Sequence, residues 1–308
     1  MTINAVTADQ LGNTRLAMAF DTDENGKKSY LYTAGAEALA ESFIRVVTTD
    51  QDIVDPADSK MSLREAIALA ESVGGGVIVF DRSKMGSRTI KIDSSLGGMT
   101  VNSNDIQIDS FTDKLDLGGG ITVPENRERI TIDASSLSST LFTLNGNAIK
   151  FSNLDIDLKS VSATGGAFNI SGLSNGVILT SISITFSGSI TATGGGIYNA
   201  GTLKLNADAA GNAVQITKNQ ATGANGQGGG LYNIATGLAL SGVDFVGNTA
   251  ISGQGGAIYN TGTDVTVNGG VYNSNKGKEG GAIYNSGALT FNGDITGNRA
   301  TGTDGKGG

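Results

Sequence analysis

The sequence contains no cysteine, no histidine and no tryptophan, and only two prolines among its 308 residues. Without Cys and His, the familiar zinc, haem, iron–sulfur and blue-copper sites are excluded, together with nucleophilic catalysis by Cys or by a Ser–His pair. Collagen is excluded because proline is nearly absent and the glycines follow no three-residue period. Long disorder is disfavoured, since 38 % of the residues are hydrophobic and can cover a core.

Positive charge is also scarce, because 21 basic residues stand against 29 acidic ones and the net charge is −8. Nucleic-acid binding requires a positive surface, so we expect no nucleic-acid partner. No stretch approaches the roughly eighteen apolar residues of a membrane-spanning helix, and we expect no transmembrane segment. The first twenty residues lack a basic region followed by an apolar core, so no secretory signal peptide is predicted. The chain is then cytosolic, or exported by a route that reads no N-terminal signal, or a fragment.

Glycine, by contrast, is abundant: the 47 glycines are roughly twice the ordinary usage. Many belong to a first repeated element, whose copies are GGGIYN (194–199), GGGLYN (228–233), GGAIYN (255–260) and GGAIYN (280–285), with a weaker GGAFN at 165–169. A second element alternates with it and places an asparagine three positions after an apolar or aromatic residue. Its copies are ITKN (216–219), FVGN (245–248), VYNSN (271–275) and ITGN (295–298).

The spacing of the two elements predicts the fold. A nearly constant 11 to 13 residues separates the tyrosine of the first element from the apolar residue of the second in the last three repeats. The stretch from the second element to the next glycine pair varies in length, as expected of a surface loop between strands that must stack. Each repeat of roughly 23–34 residues holds three short strand-like runs bounded by Gly or Asn. We therefore predict an all-β chain, a right-handed parallel β-helix, with regular repeats from about residue 190.

Each recurring residue has a predicted mechanical role. Paired glycines permit a positive φ at a bend, and asparagine tolerates bends and forms hydrogen-bonded ladders along the axis. The Tyr-Asn pairs are expected to stack, and the alternative is an aromatic track that binds sugars. The predicted structural residues of the first element are Gly194, Gly195, Tyr198, Asn199, Gly228, Gly229, Tyr232, Asn233, Gly255, Gly256, Tyr259, Asn260, Gly280, Gly281, Tyr284 and Asn285. Those of the second element are Asn219, Asn248, Asn275 and Asn298. The predicted core includes Phe245, Val265, Val267, Leu289, Phe291 and Ile295.

The chain before the regular repeats divides into two regions. Residues 86–190 contain strand-like runs, among them ITV (121–123) and RITID (129–133), which we interpret as earlier coils of the same helix. Residues 1–85 form a predicted capping region with a hairpin around Asn25-Gly26 and a short helix over 62–72. Ser62 and Glu65 make a capping box for that helix, which would cover the open end of the solenoid.

Two stretches resemble known bacterial surface proteins. The alternating elements of 194–308 resemble the GGA-I and FxxN repeats of chlamydial polymorphic outer-membrane proteins and related adhesins. The segment VVTTDQDIVDPADSKMSLREAIALA (46–70) resembles the CSLREA-type segment that opens many large β-helical surface proteins, with Met61 where that family often has Cys. The resemblance implies surface display or secretion, adhesion or scaffolding, and it brings no catalytic residues to carry over.

Few residues stand out as chemical sites. Asp155 and Asp157 lie on one strand face, followed by Lys159, and polysaccharide lyases and hydrolases on β-helices use clustered acids. The alternative interpretation is that they occupy outward, solvated positions between core residues. Separately, Asp21, Asp23 and Asn25 match the start of an EF-hand-like loop and are candidate calcium ligands. Tyr32 stands where the loop needs Glu, so a plain hairpin turn is the alternative.

The leading prediction is a non-enzymatic extracellular structural or adhesive protein, located outside the cell or on its surface. It would act as a β-helical passenger or a fibre subunit. No catalytic residue and no cofactor beyond the tentative calcium are predicted. The expected partners are further copies of the chain, in head-to-tail or lateral assembly, or a host or neighbouring cell surface with its glycans. Because the sequence ends mid-repeat at Gly307-Gly308, filament assembly is a variant of this prediction. The alternative is a polysaccharide lyase or glycoside hydrolase on the same scaffold.

Overall fold

The computed structural model describes most of the chain. The described residues are 7–8, 14–15, 20–22, 28–30, 43–55, 57–117, 122–159, 164–172, 176–186, 193–224 and 226–307. Near the N-terminus, β1 (Thr7–Ala8) pairs antiparallel with β2 (Thr14–Arg15), and β3 (Phe20–Thr22) pairs antiparallel with β4 (Lys28–Tyr30). The second pair confirms the predicted hairpin, because its register joins the strands on either side of Asn25-Gly26.

The rest of the described chain is built almost entirely of short strands. The first group is β5 (Ile44–Val47), β6 (Gly76–Phe80), β7 (Thr89–Lys91), β8 (Met99–Val101), β9 (Ile106–Asp109), β10 (Leu115–Asp116), β11 (Thr122–Val123), β12 (Ile130–Ala134), β13 (Phe142–Leu144), β14 (Lys150–Ser152), β15 (Leu154–Leu158), β16 (Phe168–Ile170), β17 (Val177–Thr180) and β18 (Ser183–Phe186). The second group is β19 (Ile197–Asn199), β20 (Leu203–Asn206), β21 (Val214–Thr217), β22 (Leu231–Asn233), β23 (Ala239–Ser241), β24 (Val243–Val246), β25 (Thr249–Gln254), β26 (Ile258–Asn260), β27 (Val265–Asn273), β28 (Lys276–Glu279), β29 (Ile283–Asn285), β30 (Leu289–Thr296) and β31 (Arg299–Ala300). One α-helix, α1 (Leu63–Ser72), lies between β5 and β6.

Parallel pairing arranges these strands into three long faces. Face A runs β5-β6-β9-β14-β17-β20-β23, face B runs β7-β12-β15-β18-β21-β24, and face C runs β8-β13-β16-β19-β22-β26-β29. The long strands β27 and β30 turn the corner from face A to face B, so each contributes to both. A shorter corner sheet, β25-β28-β31, lies between face B and face C. Since the chain visits A, B and C in the same order coil after coil, the prediction of a parallel β-helix is confirmed.

The interior is filled by alternate side chains of each strand. In the N-terminal coils the rings of Phe142, Phe151 and Phe168 contact one another, with centroids 4.9 to 5.5 Å apart. Farther along, Phe245 stacks on Tyr272 at 5.2 Å. The predicted core residues Phe245, Val265 and Val267 are fully or almost fully buried, and Leu289 and Phe291 are partly buried against the core. Ile295, on the outermost described coil, is 46 % exposed, so its inclusion in the core was wrong.

Helix α1 closes one end of face C, as predicted for a capping helix. Ser62 and Glu65 form both bonds of the capping box, and the buried side of α1 is Leu63, Ala66, Ile67 and Ala70. Two polar side chains of α1 bond to the backbone on either side of the edge strand β8. The Arg64 guanidinium donates to the carbonyl oxygens of Gly97 and Gly98, at 2.8 and 3.2 Å. The Glu71 carboxylate accepts from the backbone N–H groups of Asn102 and Ser103, at 2.7 and 2.8 Å.

Two features of the N-terminal coils differ from the sequence prediction. The strand β5 was not predicted; with β6 it extends face A across the predicted boundary at 85/86. The described part of the run at 121–123, interpreted as part of a coil, instead forms β11 (Thr122–Val123), which pairs antiparallel with β10. Leu115 and Val123 of this hairpin pack on the outward side of face A against Ile44 and Val79. An apolar patch on a sheet surface is thereby covered, which explains why an apolar run occurs outside the solenoid core.

Candidate functional site

The first repeated element forms a continuous surface column on face C. Tyr198, Tyr232, Tyr259 and Tyr284 occupy the outward central positions of β19, β22, β26 and β29 and lie in register. Their rings stack nearly parallel, with centroids 5.4, 4.8 and 5.2 Å apart and interplanar angles of 10°, 4° and 4°. The spacing equals that of neighbouring strands, so the stack follows directly from the parallel register.

This stack presents ring edges and hydroxyls to solvent. Each inner ring is covered on both faces by its neighbours, whereas sugar binding by an aromatic track needs exposed ring faces. Burial and the neighbouring tyrosines raise the pKa of Tyr232 above its ordinary value. Burial and Tyr284 also raise the pKa of Tyr259, against a smaller lowering by a hydrogen-bonding interaction with the Gln227 side chain. The arrangement favours the structural interpretation of the tyrosines over a sugar track.

The asparagines that follow the tyrosines form an internal ladder. The side-chain amide of Asn199 donates to the Oδ1 of Asn233 at 2.6 Å, Asn233 donates to Asn260 at 2.7 Å, and Asn260 donates to Asn285 at 2.6 Å. Three of them also donate to a backbone carbonyl two residues ahead, which holds the bend: Asn233 to Ala235, Asn260 to Gly262 and Asn285 to Gly287. The first three members are completely buried.

The second element forms a separate ladder at the corner after face B. Its asparagines are linked side chain to side chain at 2.9 to 3.0 Å: Asn219 donates to Asn248, Asn248 donates to Asn275, and Asn275 donates to Asn298. Each Oδ1 from Asn248 onward also accepts the backbone N–H of the preceding asparagine, at 2.9 Å. Each Nδ2 additionally reaches a backbone carbonyl one coil back, such as Ile216 for Asn248 at 2.7 Å. One amide side chain in the middle of this ladder, such as that of Asn248, thus makes four bonds that join adjacent coils.

Both ladders begin at a residue with an unused acceptor. Asn199 and Asn219 are fully buried, and the Oδ1 of each has no hydrogen-bond partner among the described residues. For Asn199 the reason is visible in the register, because the residue beside it in the preceding coil is Ile170. The asparagine ladder therefore starts where the repeats become regular.

The paired glycines are required at the bend that leads into face C. Gly228, like its counterparts Gly194, Gly255 and Gly280, has a positive φ between 60° and 71°. A Cβ on Gly229 would lie 2.3 Å from the carbonyl oxygen of Gly256 in the next coil. The counterparts of Gly229 (Gly195, Gly256 and Gly281) likewise meet backbone at 2.0 to 2.5 Å. No larger residue fits this bend without moving the neighbouring coil.

Face B carries the two acidic residues that the sequence indicates as a chemical site. Asp155 and Asp157 point outward from β15, between the fully buried Leu154 and Ile156, as the structural interpretation predicts. The register also places Asp133 directly beside Asp157, a pairing between coils that the sequence reasoning missed. Partial burial raises the pKa of Asp157, with smaller contributions from Asp133 and Asp155.

Asp155 is neutralised by an arginine. The Arg129 Nε donates to Asp155 at 2.8 Å, and its Nη1 donates to the Ser181 hydroxyl at 2.9 Å. Lys159 forms no ion pair with any described residue. Within the part of the chain that the structure describes, no group of three or more carboxylates is placed to hold a metal ion. Face B is thus a row of surface carboxylates with one ion pair.

Of the three candidate calcium ligands, only Asp21 lies within the described residues. The backbone of Asp21 belongs to β3 and pairs with Ser29, whereas Asp23 and Asn25 lie outside the described residues. The calcium site stays a prediction.

Comparison with family models, curated proteins and solved structures found no match to this chain. The resemblance to chlamydial surface-protein repeats stays a prediction for that reason. No helix in the described ranges is long and apolar enough to cross a membrane. Function has to be inferred from the surfaces and ladders described above.

Proposed function

We propose that this chain is a non-enzymatic extracellular structural or adhesive protein, a β-helical passenger or fibre subunit of a cell surface. The observation that supports the proposal is that the repeated residues make contacts between neighbouring coils. Tyrosines, asparagines and glycines recur in every regular coil, and they contact their counterparts in neighbouring coils. Repeated residues that contact the same residue type in the next coil stabilise a solenoid along its axis. A solenoid stabilised in this way is suited to display its outer surfaces in a fixed arrangement.

The charge distribution agrees with a scaffold that displays surfaces. Residues 193–307 carry six basic and six acidic side chains, so the regular coils are neutral, and the excess negative charge lies upstream. A neutral rod can approach other surfaces, including those of its own copies, without long-range repulsion. The partners that we propose are a host or neighbouring cell surface with its glycans, or further copies of the chain.

Adhesion is tested with beads coated with the purified chain. We expect such beads to be retained on monolayers of cultured cells or on bacterial lawns, in contrast to albumin-coated beads, and free protein to compete. Electron microscopy of the concentrated protein tests self-association in parallel. Failure of the beads to bind any surface, together with uniformly monomeric particles, would contradict the proposal.

A second candidate function, a polysaccharide lyase or hydrolase, is favoured by one observation. Asp133, Asp155 and Asp157 lie together on face B, and a carboxyl group whose pKa is raised by burial and by neighbouring carboxylates, as in Asp157, is typical of acid catalysts. Incubation with acidic and neutral glycans, with and without calcium, followed by assay of reducing and unsaturated ends, tests this candidate. Cleavage that disappears in Asp157→Asn, but survives in the exposed control Asp304→Asn, would place the enzyme ahead of the adhesin.

A further inference from the structure

The corner sheet carries basic side chains on its outer surface. In β28, Lys276 and Lys278 are exposed while Gly277 between them is buried, so both lysines point outward. The parallel register places Arg299 of β31 directly beside Lys276, and Arg299 is exposed as well. Lys276, Lys278 and Arg299 are called the corner cations below.

The corner cations place like charges side by side. Like charges placed directly opposite each other on adjacent strands are destabilising, and Lys276 and Arg299 are such a pair. The nearby Glu279 carboxylate accepts the side-chain amide of Gln254 at 2.7 Å. None of the corner cations forms an ion pair with a described residue.

Some basic residues of the N-terminal coils are paired with carboxylates. Five basic residues there lie within 4 Å of a carboxylate: Arg64, Arg82, Lys84, Arg127 and Arg129. The corner cations differ from these five residues because they lie side by side with no carboxylate within 4 Å among the described residues. Such a patch fits an external anion, which would relieve the repulsion between Lys276 and Arg299.

The spacing of the corner cations indicates the kind of anion. Neighbouring strands are about 4.8 Å apart, and alternate residues on one strand are about 6.6 Å apart. A polymer with anionic groups every few ångströms can contact all three cations together, and the arginine can bind a sulfate or carboxylate through two hydrogen bonds. Exposed Ile251 on β25 adds an apolar surface beside the charges.

We propose that the corner cations bind the sulfate and carboxylate groups of an acidic polysaccharide. This inference rests on the proposed adhesive function and names the chemistry of its partner. A nucleic acid is a poorer occupant, because a duplex binds through many phosphate contacts along an extended positive surface, whereas this corner offers three cations.

The test measures binding of a size-defined heparin fragment to the full chain by calorimetry at about 0.05 M and about 0.5 M salt. We expect binding at low salt that weakens at high salt, and a loss of about tenfold or more for each of Lys276→Glu and Arg299→Glu. Lys204→Glu, an exposed lysine on face A, is the matched control and should bind like the wild type. Absence of binding at low salt, equal losses in the control, or equally tight binding of duplex DNA would overturn the inference.

Milder variants separate binding from folding. Lys276→Gln and Arg299→Gln remove the like-charge pair, so their melting temperatures should be unchanged or higher while heparin binding falls. A lower melting temperature with unchanged binding would contradict the inference. The bead assay separates the two proposals: beads that adhere without heparin binding leave the adhesive function standing and remove the glycan site. Heparin binding without bead adhesion would support the glycan site and contradict the adhesive function.

Discussion

Tyr272 differs from the outward tyrosines of face C because its side chain points into the core. Its side chain is fully buried between Phe245 and Phe291, and its hydroxyl has no hydrogen-bond partner among the described residues. Burial raises the pKa of Tyr272 far above its ordinary value, so the group stays neutral. An unpaired buried hydroxyl costs free energy without contributing a bond.

We therefore expect Tyr272→Phe to stabilise the protein by roughly 1 kcal/mol, measured by urea unfolding. The ring and its contacts are retained, and only the unpaired oxygen is lost. Tyr259→Phe is the matched control, since the Tyr259 hydroxyl interacts with Gln227 and lies at the surface. Tyr259→Phe should leave the free energy of unfolding equal to that of the wild type or lower. A destabilised Tyr272→Phe would show that the hydroxyl has a partner in solution.

Asp157 gives a prediction about pH. Its pKa is raised in the folded state, so the folded protein binds this proton more tightly than the unfolded chain does. The ionised carboxylate therefore lowers stability at neutral pH, and the penalty disappears as the pH falls below the unfolded pKa of about 4. Asp157 is exposed and solvent screens its charge, so Asp157→Asn should stabilise the protein by only about 0.2 to 0.5 kcal/mol at pH 7, with no gain near pH 3.5.

Unfolding in urea at the two pH values measures this difference. Asp155→Asn serves as the control, because Asp155 is paired with Arg129 at 2.8 Å and its neutralisation removes an ion pair. No stabilisation is expected from it. A gain for Asp157→Asn that is the same at both pH values would show that the effect is not electrostatic.

At the scale of elements, α1 acts on the edge of a sheet. Its Glu71 carboxylate accepts the backbone N–H groups of Asn102 and Ser103, immediately after the edge strand β8. Without these bonds, the donors at this edge would be available to another chain. The helix therefore contributes both a cover for the core and polar partners for the edge backbone.

We expect Glu71→Ala to increase amide hydrogen exchange at Asn102 and Ser103 and to cause concentration-dependent self-association. Hydrogen exchange and light scattering measure the two effects. Ser72→Ala, on the exposed side of the same helix, controls for changes in helix stability. Equal exchange in Glu71→Ala and the wild type would show that the carboxylate does not protect the edge.

The elements differ in how well the sequence predicts them. The strands of the regular coils and α1 are predictable, because glycine pairs, asparagines and a capping box have direct local causes. β11 was misassigned because its apolar Val123 packs on the outside of face A, and local alternation cannot distinguish an outer patch from the core. The pairing of Asp133 with Asp157 was missed, since the irregular coils lack a repeat that fixes their register.

At the scale of the whole molecule, the regular coils are interchangeable units. Asn233 and Asn260, equivalent residues of adjacent coils, are 27 positions apart. Deleting residues 228–254 joins Gln227 to Gly255 and brings Tyr198 beside Tyr259, so every column keeps its register with one member fewer. Solenoid stability is close to a sum over units and their interfaces.

We expect this deletion to yield a folded protein with the same strand content per residue and a slightly lower melting temperature. Circular dichroism and thermal unfolding measure both. Deletion of 241–254 is the control. It removes the face B and corner segments of one coil but keeps the face C strand of that coil. The tyrosine and asparagine columns then cannot align with those of the next coil. A folded control, or an unfolded product of the whole-coil deletion, would contradict the modular interpretation.

The side-chain amides of both ladders all point the same way, each Nδ2 toward the oxygen of the coil ahead. Aligned amide dipoles polarise one another, so each added coil strengthens the bonds of those before it. Each ladder consequently has a direction: it begins inside the solenoid at an oxygen unpaired among the described residues, on Asn199 or Asn219, and runs to Asn285 or Asn298 on the last described coil. A further coil that stacked on such a ladder would have to present an acceptor oxygen to the amide donor before it. Only one orientation of that coil would therefore continue the ladder.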